Sequence, residues 1–196
     1  MIGLYTEHRA GVWFGAACDE RRVYGTSFAS SEKEALKSLL SGMPSDAPFQ
    51  IFPTPSAFAE NILTTVKDVF DGKDVSEWFP LFTEHLTAYT KKVLKVTALI
   101  PIGYVTTYGS IAETAGGSPR AVGNVMASNA FAPVVPCHRV VSSNFTLGGY
   151  GGGLDVKLEL LIREKRGYQY QWEIPFGDKE LALFPVEFVL RKLQRD

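Results

Sequence analysis

Cys137 and His138 stand side by side in the run PVVPCHRVV, with Pro136 in front and Arg139 behind. A thiolate is a strong nucleophile at neutral pH when a base takes its proton and a third group orients that base. Adjacent residues of an extended strand point to opposite faces, so Cys137 and His138 cooperate only if the chain turns there or a water bridges them. Pro136 argues against a plain strand. Two acids on the helix expected downstream, Glu159 and Glu164, are candidates to hold His138. The competing reading makes Cys137 packing material in a buried strand, because cysteine is often a small buried hydrophobe.

The rest of the composition narrows the chemistry. The chain has 196 residues, 45% hydrophobic and 21% charged, as expected of an ordinary globular protein of one domain or two small ones. Its net charge of −1 provides no global basic field, so any contact with nucleic acid must be local. The only two cysteines, Cys18 and Cys137, lie far apart and suggest no disulfide framework, which fits a reducing compartment. The first residues, MIGLYTEHRAGVWFG, lack the layout of a signal peptide. No apolar run approaches the roughly 18 residues that a membrane span needs. His8, His85, His138 and the two cysteines are too few and too scattered for a metal site.

Two halves position these residues. In the first, VWFGAACDERRVYGTSF reads as a β-hairpin, SEKEALKSLL as a helix capped by Ser30 or Ser31, PFQIFPTPS as a short extended piece and Phe58–Phe70 as a second helix. DGKDVSEWFP reads as a connector. In the second half, Thr83–Leu99 has helical spacing and GYVTTYG is a turn or strand. Ser110–Ala115 is a short helix, Gly116-Gly117 a turn, and Ser118 caps a helix with Pro119 at its first position. This pair has the outline of a helix-turn-helix. No acid occurs between Thr114 and Leu154 while Arg120 and Arg139 do, which suits an approach to phosphates. GGYGGG is a loop without the lysine of a phosphate-binding loop. Asp155 is expected to cap a helix running to about Arg166, and the tail reads as a strand-like piece and a basic amphipathic end.

The run from Ile100 to about Arg166 resembles the catalytic domain of the O6-alkylguanine-DNA alkyltransferase family. The pieces that carry the resemblance are IPIGYVTTYGSIA, SPRAVGNVM, SNAFAPVVPCHRVV and GGYGGGLDVKLELLIRE. It implies an α/β (α+β) fold: a small ribonuclease-H-like α/β domain over 1–80, then a mainly helical winged helix-turn-helix domain over 81–170 that carries the cysteine. Residues 171–196 remain an extension without an assigned role. The implied reaction moves an alkyl group from O6 of guanine in double-stranded DNA onto the protein's own cysteine, once per molecule and without cofactor or metal. By the same resemblance the protein acts as a monomer in the cytoplasm, or in the nucleus of a eukaryote, with no membrane partner.

The resemblance also implies roles. Cys137 accepts the alkyl group, His138 takes the thiol proton through a water, Glu164 orients His138, and Asn129 braces the active-site loop. Tyr108 pushes the target nucleotide out and donates its hydroxyl to the base. Met126, Val140, Tyr150 and Gly151 form the base pocket, with the carbonyls of Cys137 and Val140 accepting from the exocyclic amine. Arg120 fills the vacated space in the duplex, while Ser118, Ala121 and Gly123 belong to the helix that meets the minor groove. The chain departs from the family pattern at Ala127-Ser128-Asn129-Ala130, where Arg-Gly-Asn-Pro is common, which removes a cationic DNA contact. It also departs at Asn124, where a second glycine is usual, at Gly151, commonly serine, and in its longer tail.

Three other readings compete. A protein that recognises alkylated bases without repairing them has no need of Cys137. A helix-turn-helix regulator leaves Cys137, His138 and Glu164 without a purpose. A cysteine hydrolase turns over repeatedly, so stoichiometry separates it from a single-use acceptor.

Overall fold

The computed structural model describes every residue except Ser45, Ser76, Glu77, Arg195 and Asp196. The chain divides into two units, Met1–Leu86 with Asn129–Val134, and Thr87–Ser128 with Val135–Asp196. Part of the expected connector, at Ser76 and Glu77, lies outside the described residues.

In the first unit, β1 (Ile2–Arg9), β2 (Val12–Cys18) and β3 (Val23–Ala29) form an antiparallel meander, and β4 (Phe49–Ile51) pairs with β1 in parallel. The central strand β2 is buried on both faces. Phe14 meets Phe70 of α2 (Ala57–Phe70), whereas a side chain at Gly15 would collide with Ser27 and crowd Leu39 of α1 (Glu32–Gly42). Glycine at 15 is therefore what lets α1 approach the sheet. Of the two caps expected for α1, Ser31 is the one used, and α2 starts one residue before the expected Phe58 on Ser56, each hydroxyl accepting from the backbone N–H three residues on.

The second unit begins with α3 (Ala88–Ala98). It is shorter than the expected Thr83–Leu99 because Thr87 caps it, accepting from the N–H of Thr90. There follow β5 (Tyr104–Thr107), α4 (Tyr108–Ala115), α5 (Pro119–Ala127), β6 (Val140–Val141), α6 (Leu154–Arg163), β7 (Trp172–Phe176), β8 (Lys179–Pro185) and α7 (Val186–Leu193). The turn between α4 and α5 runs through Gly116 and Gly117 at φ of 90° and 89°, a region that side-chain-bearing residues rarely enter. Helix α6 starts on Gly153 with no side-chain cap, so the expected cap at Asp155 is corrected: Asp155 is already inside the first turn, where its charge suits the helix N-terminus.

The expected separate extension over 171–196 is instead part of this unit. β7 and β8 form a hairpin around Gly177-Asp178, and β8 pairs with β5, giving a four-stranded sheet in the order β6-β5-β8-β7. Thr106 Oγ1 donates to the carbonyl of Ala182 at 2.6 Å, and Thr114 Oγ1 to that of Glu180 at 3.0 Å. Leu181, Leu183, Val186 and Val189 are fully buried, the two valines in one core with Val105, Val141, Leu147 and Leu161. Four such side chains contribute roughly 6–12 kcal/mol at ~1.5–3 kcal/mol each. That is about the whole stability of a small domain. A chain ended after Tyr170 is therefore expected to lose the cooperative unfolding transition of the second unit. Thermal unfolding followed by circular dichroism checks this, and a transition within a few degrees of the full chain's would contradict it.

Candidate active site

Cys137, His138 and Arg139 form a single 3-10 turn. The turn supplies the break from extended geometry that the adjacent Cys and His require. It is closed by the N–H of Arg139 on the carbonyl of Pro136 at 2.9 Å and by the N–H of Val140 on that of Cys137. The turn feeds β6, which lies against β5 with Thr106 opposite Val140. All three side chains are buried, His138 completely and Cys137 to 6% exposure. Neither cysteine is in a disulfide.

Of the two acids left open, Glu164 is the partner. It follows the last residue of α6 and is fully buried, with Oε1 2.8 Å from His138 Nε2. Glu159 points elsewhere and pairs with Arg163 on its own helix. Arg139 completes the group: Nε lies 3.1 and 2.9 Å from the two Glu164 oxygens, Nη2 is 2.8 Å from Oε1, and Nη1 donates to the carbonyl of Ile100 at 2.6 Å. The expectation that Arg139 helps an acid-free face approach phosphates is therefore corrected. Its charge is spent inside the protein on Glu164.

The electrostatics assign protonation states. Burial favours the neutral form of Glu164, but the neighbouring His138 and Arg139 outweigh it and hold the carboxyl at about 2. Burial pushes His138 below its ordinary 6.5 despite Glu164, so the imidazole is neutral at pH 7. An ionised Glu164 can only accept, so Nε2 carries the imidazole proton and Nδ1 keeps its lone pair. Nδ1 is buried and has no hydrogen-bond partner among the described residues. A neutral histidine with an unengaged basic nitrogen, one residue from a thiol, is equipped to receive a proton.

Around the thiol stand further groups from the expected set. Burial raises the Tyr108 and Tyr150 hydroxyls, Tyr150 strongly, and negative charge at Cys137 adds to both. Tyr108 opens α4, and its hydroxyl donates to the carbonyl of Gly149 at 3.3 Å. The loop carrying Gly151 has room for a side chain there. Met126 faces inward, its sulfur accepting from Thr97 Oγ1 at 3.8 Å, so its thioether packs into the core against α3. Asn129 lies in the segment that joins the first unit, and its Oδ1 accepts from the N–H of Phe131 at 3.0 Å. The α5 residues are together on an accessible surface: Ser118 caps the helix, Arg120 is exposed in its first turn, and Ala121 and Gly123 are half-buried.

Lys157 is the residue that sequence reading missed. It is fully buried on α6, and Nζ donates to the carbonyls of Val140 and Leu147 at 2.5 Å each and of Gly149 at 3.1 Å. Burial lowers its ammonium to about 8, with negative charge at Cys137 opposing the drop. Lys157→Met preserves most of the volume but leaves three carbonyls short of a donor and removes a cation from the thiol's surroundings. Faster amide hydrogen exchange across residues 147–151 and a shift of Cys137 alkylation to higher pH are expected. Exchange and pH dependence identical to those of the unaltered chain would contradict the assignment. Among the described residues, no group of three metal-ligating side chains gathers, and no helix is long and apolar enough to cross a membrane.

Comparison with known proteins converges on one family. The family profile described as "6-O-methylguanine DNA methyltransferase, DNA binding domain" matches residues 88–166. A methylated-DNA–protein-cysteine methyltransferase of Pyrobaculum aerophilum is 58% identical over 65 residues, 33% of this chain and 44% of that protein. One of Mycobacterium leprae is 38% identical over 115 residues, covering 58% of this chain and 68% of that one. The solved Mycobacterium tuberculosis OGT in complex with DNA superposes with a TM-score of 0.65 at 25% identity, over 83% of this chain and 92% of that one. Several of the curated relatives are spanned over less than two thirds of their length, between 44% and 64%.

Proposed function

The chain belongs to the methylated-DNA–protein-cysteine methyltransferase family, and we propose that it moves an alkyl group from O6 of guanine in duplex DNA onto Cys137, once per molecule. The observation that carries this reading is the buried His138, tied through Nε2 to Glu164 and left with a basic Nδ1, one residue from Cys137. Such a site makes a thiolate without metal or cofactor. The target base must leave the stack to reach it, at a cost of a few kcal/mol that weak pairing of an alkylated guanine reduces.

In the proposed sequence Tyr108 displaces the nucleotide and Arg120 occupies the space left in the duplex. The base enters between Tyr150, Val140 and the Gly151 loop, with Met126 supporting the pocket from beneath. The carbonyls of Cys137 and Val140 each hold one donor already, from the N–H of Val140 and from Lys157. Each keeps a second lone pair for the exocyclic amine. His138 Nδ1 takes the thiol proton through a water. Sulfur attacks the alkyl carbon, the carbon–O6 bond breaks, and its electron pair passes into the guanine ring, which takes a proton from the Tyr108 hydroxyl. The thioether has no leaving group at hand, so the protein is spent. Asn129 shapes the chain ahead of the active-site turn.

For the DNA surface, support comes from α5. A side chain at Gly123 would meet nothing within 4 Å, so packing does not require glycine there, although a helical glycine costs up to ~1 kcal/mol relative to alanine. A surface pressed against the helix accounts for it, with Ser118 and Ala121 on the same element. The DNA complex of the Mycobacterium tuberculosis relative points the same way. The protein is read as a cytoplasmic monomer, or nuclear in a eukaryote.

Arg120→Ala tests the reading. The exposed side chain makes no contribution to the pocket itself, so transfer from duplex DNA is expected to fall at least about tenfold, the effect of losing ~1.4 kcal/mol. Transfer from the free alkylated base is expected to stay near the unaltered rate. Equal losses on both substrates would contradict the DNA-facing role.

A further inference from the structure

Away from Cys137, the second unit contains a groove of about 880 Å³ between α6, the connection that follows it, and α7. Leu158, Ile162 and Leu190 give it an apolar lining, and Tyr168 and Tyr170 line it from the connection. The aromatic surface is open: Tyr170 is 81% exposed, Trp172 52% and Tyr168 39%. These rings alternate along KRGYQYQW, and two are fixed from below. Tyr168 stacks on Tyr104 with ring centres 5.0 Å apart, and Trp172 meets the same ring edge-on at 5.9 Å. A bare aromatic surface of this kind is uncommon on a protein that has nothing to place on it.

The polar groups specify the ligand further. Lys165 and Arg191 line the groove, and no acid occurs from Lys165 to Trp172. Lys165 forms no ion pair among the described residues. Glu187 is the acid present: its Oε1 accepts the N–H groups of Arg166 and Gly167, at 3.2 and 2.5 Å, while Oε2 is buried with no partner. Aromatic faces and cations match, in turn, base faces and phosphates. In a duplex the base faces are stacked away, so the matching form is unpaired.

We propose that this groove and its aromatic rim are a second nucleic-acid site that takes a short single-stranded stretch of DNA. Bases stack on Tyr168, Tyr170 and Trp172, and the phosphates run past Lys165 and Arg191. The inference goes beyond the alkyl-transfer reading and does not require it.

The test uses the full chain and a fluorescent oligodeoxycytidine of about eight nucleotides, with binding followed by anisotropy. A strand of the same length lacking its bases serves as the charge-matched control. Tyr170→Ala, at a site too exposed to support the fold, is expected to weaken oligodeoxycytidine binding about tenfold, the scale of one lost base stack. Lys165→Ala weakens it and flattens its salt dependence. Both variants keep the unaltered rate of transfer from duplex DNA, and the abasic strand binds distinctly more weakly. The proposal is overturned if the abasic strand binds as well as the full one, if both variants bind like the unaltered chain, or if the unaltered chain does not bind the oligonucleotide. Because binding is read without alkyl transfer, a protein that transfers nothing would still give a clear answer here.

Discussion

Replacing Cys137 by alanine is expected to abolish alkyl transfer while leaving affinity for alkylated duplex DNA unchanged. The second unit divides DNA contact and chemistry between different elements. The surface assigned to DNA lies on α5, while Cys137 sits in a separate 3-10 turn, buried to 6% exposure. Removing one sulfur from that turn costs about 1 kcal/mol of stability, as for a typical point change, and does not alter the helix surface. The protein contains its own control. Cys18 is buried on β2, and its thiol is pushed up to about 12 by burial and by the neighbouring Asp19, so it forms almost no thiolate near neutrality. Cys18→Ala should transfer at the unaltered rate. Filter binding and single-turnover transfer of a labelled alkyl group measure the two properties separately. Transfer by the Cys137 variant, or its loss in the Cys18 variant, would remove Cys137 as the acceptor.

Glu164→Gln is expected to have the second largest effect, on both rate and stability. The substitution leaves Arg139 buried without its counter-ion, and breaking such a pair typically costs about 3–5 kcal/mol. It also releases the tautomer of His138, since an amide can present either a donor or an acceptor to Nε2. His138 is the base and Glu164 fixes its tautomer, so the loss in rate is bounded by the ~10²–10⁴ that general-base catalysis contributes. The pH dependence separates these effects. Glu164 falls from an ordinary 4.5 to about 2 on folding, so its contribution to stability is fully present above 4.5 and is lost as pH falls toward 2. The shift corresponds to roughly 3 kcal/mol. His138 also titrates lower in the folded state, because burial disfavours its charged form, so the unfolded chain binds its proton first and stability declines as pH drops below 6.5. Urea unfolding of the unaltered chain should therefore weaken below pH 6.5 and again below 4.5. In Glu164→Gln the second decline is shallower, and what is left belongs to other carboxylates lowered by folding, such as Asp19. Parallel curves for the two proteins would show that Glu164 is not the ionised partner.

Much of this site was legible in the sequence, and the remainder had a physical reason to escape. The adjacency of Cys137 and His138 required a turn, and Pro136 made one expected. Serine caps located the starts of α1 and α5, whereas Ser56 and Thr87, which cap α2 and α3, passed unread. The choice between Glu159 and Glu164 could have been narrowed by periodicity. Lys157, Leu160, Leu161 and Glu164 fall at i, i+3, i+4 and i+7, one stripe of α6, and all four are buried, whereas Glu159 lies off it. The same stripe marks Lys157, which sequence reading passed over because a buried ammonium is rare and its three carbonyl partners lie 8 to 17 residues away. Arg139 escaped because its partner lies 25 residues away and only the folded chain brings them together. The tail was legible as a strand but not as a hairpin. The two-residue Gly177-Asp178 connection between apolar runs was the available signal, while pairing of β8 with β5 depends on contacts across about 75 residues, which no local pattern encodes.

The most direct test of the central claim is the mass of the intact protein after incubation with duplex DNA containing a single O6-methylguanine, followed by peptide mapping. The account predicts a gain of one methyl group, located on Cys137, that stops at one equivalent however much DNA is supplied. An unchanged mass, a methyl group elsewhere, or repeated turnover without a modified cysteine would contradict it.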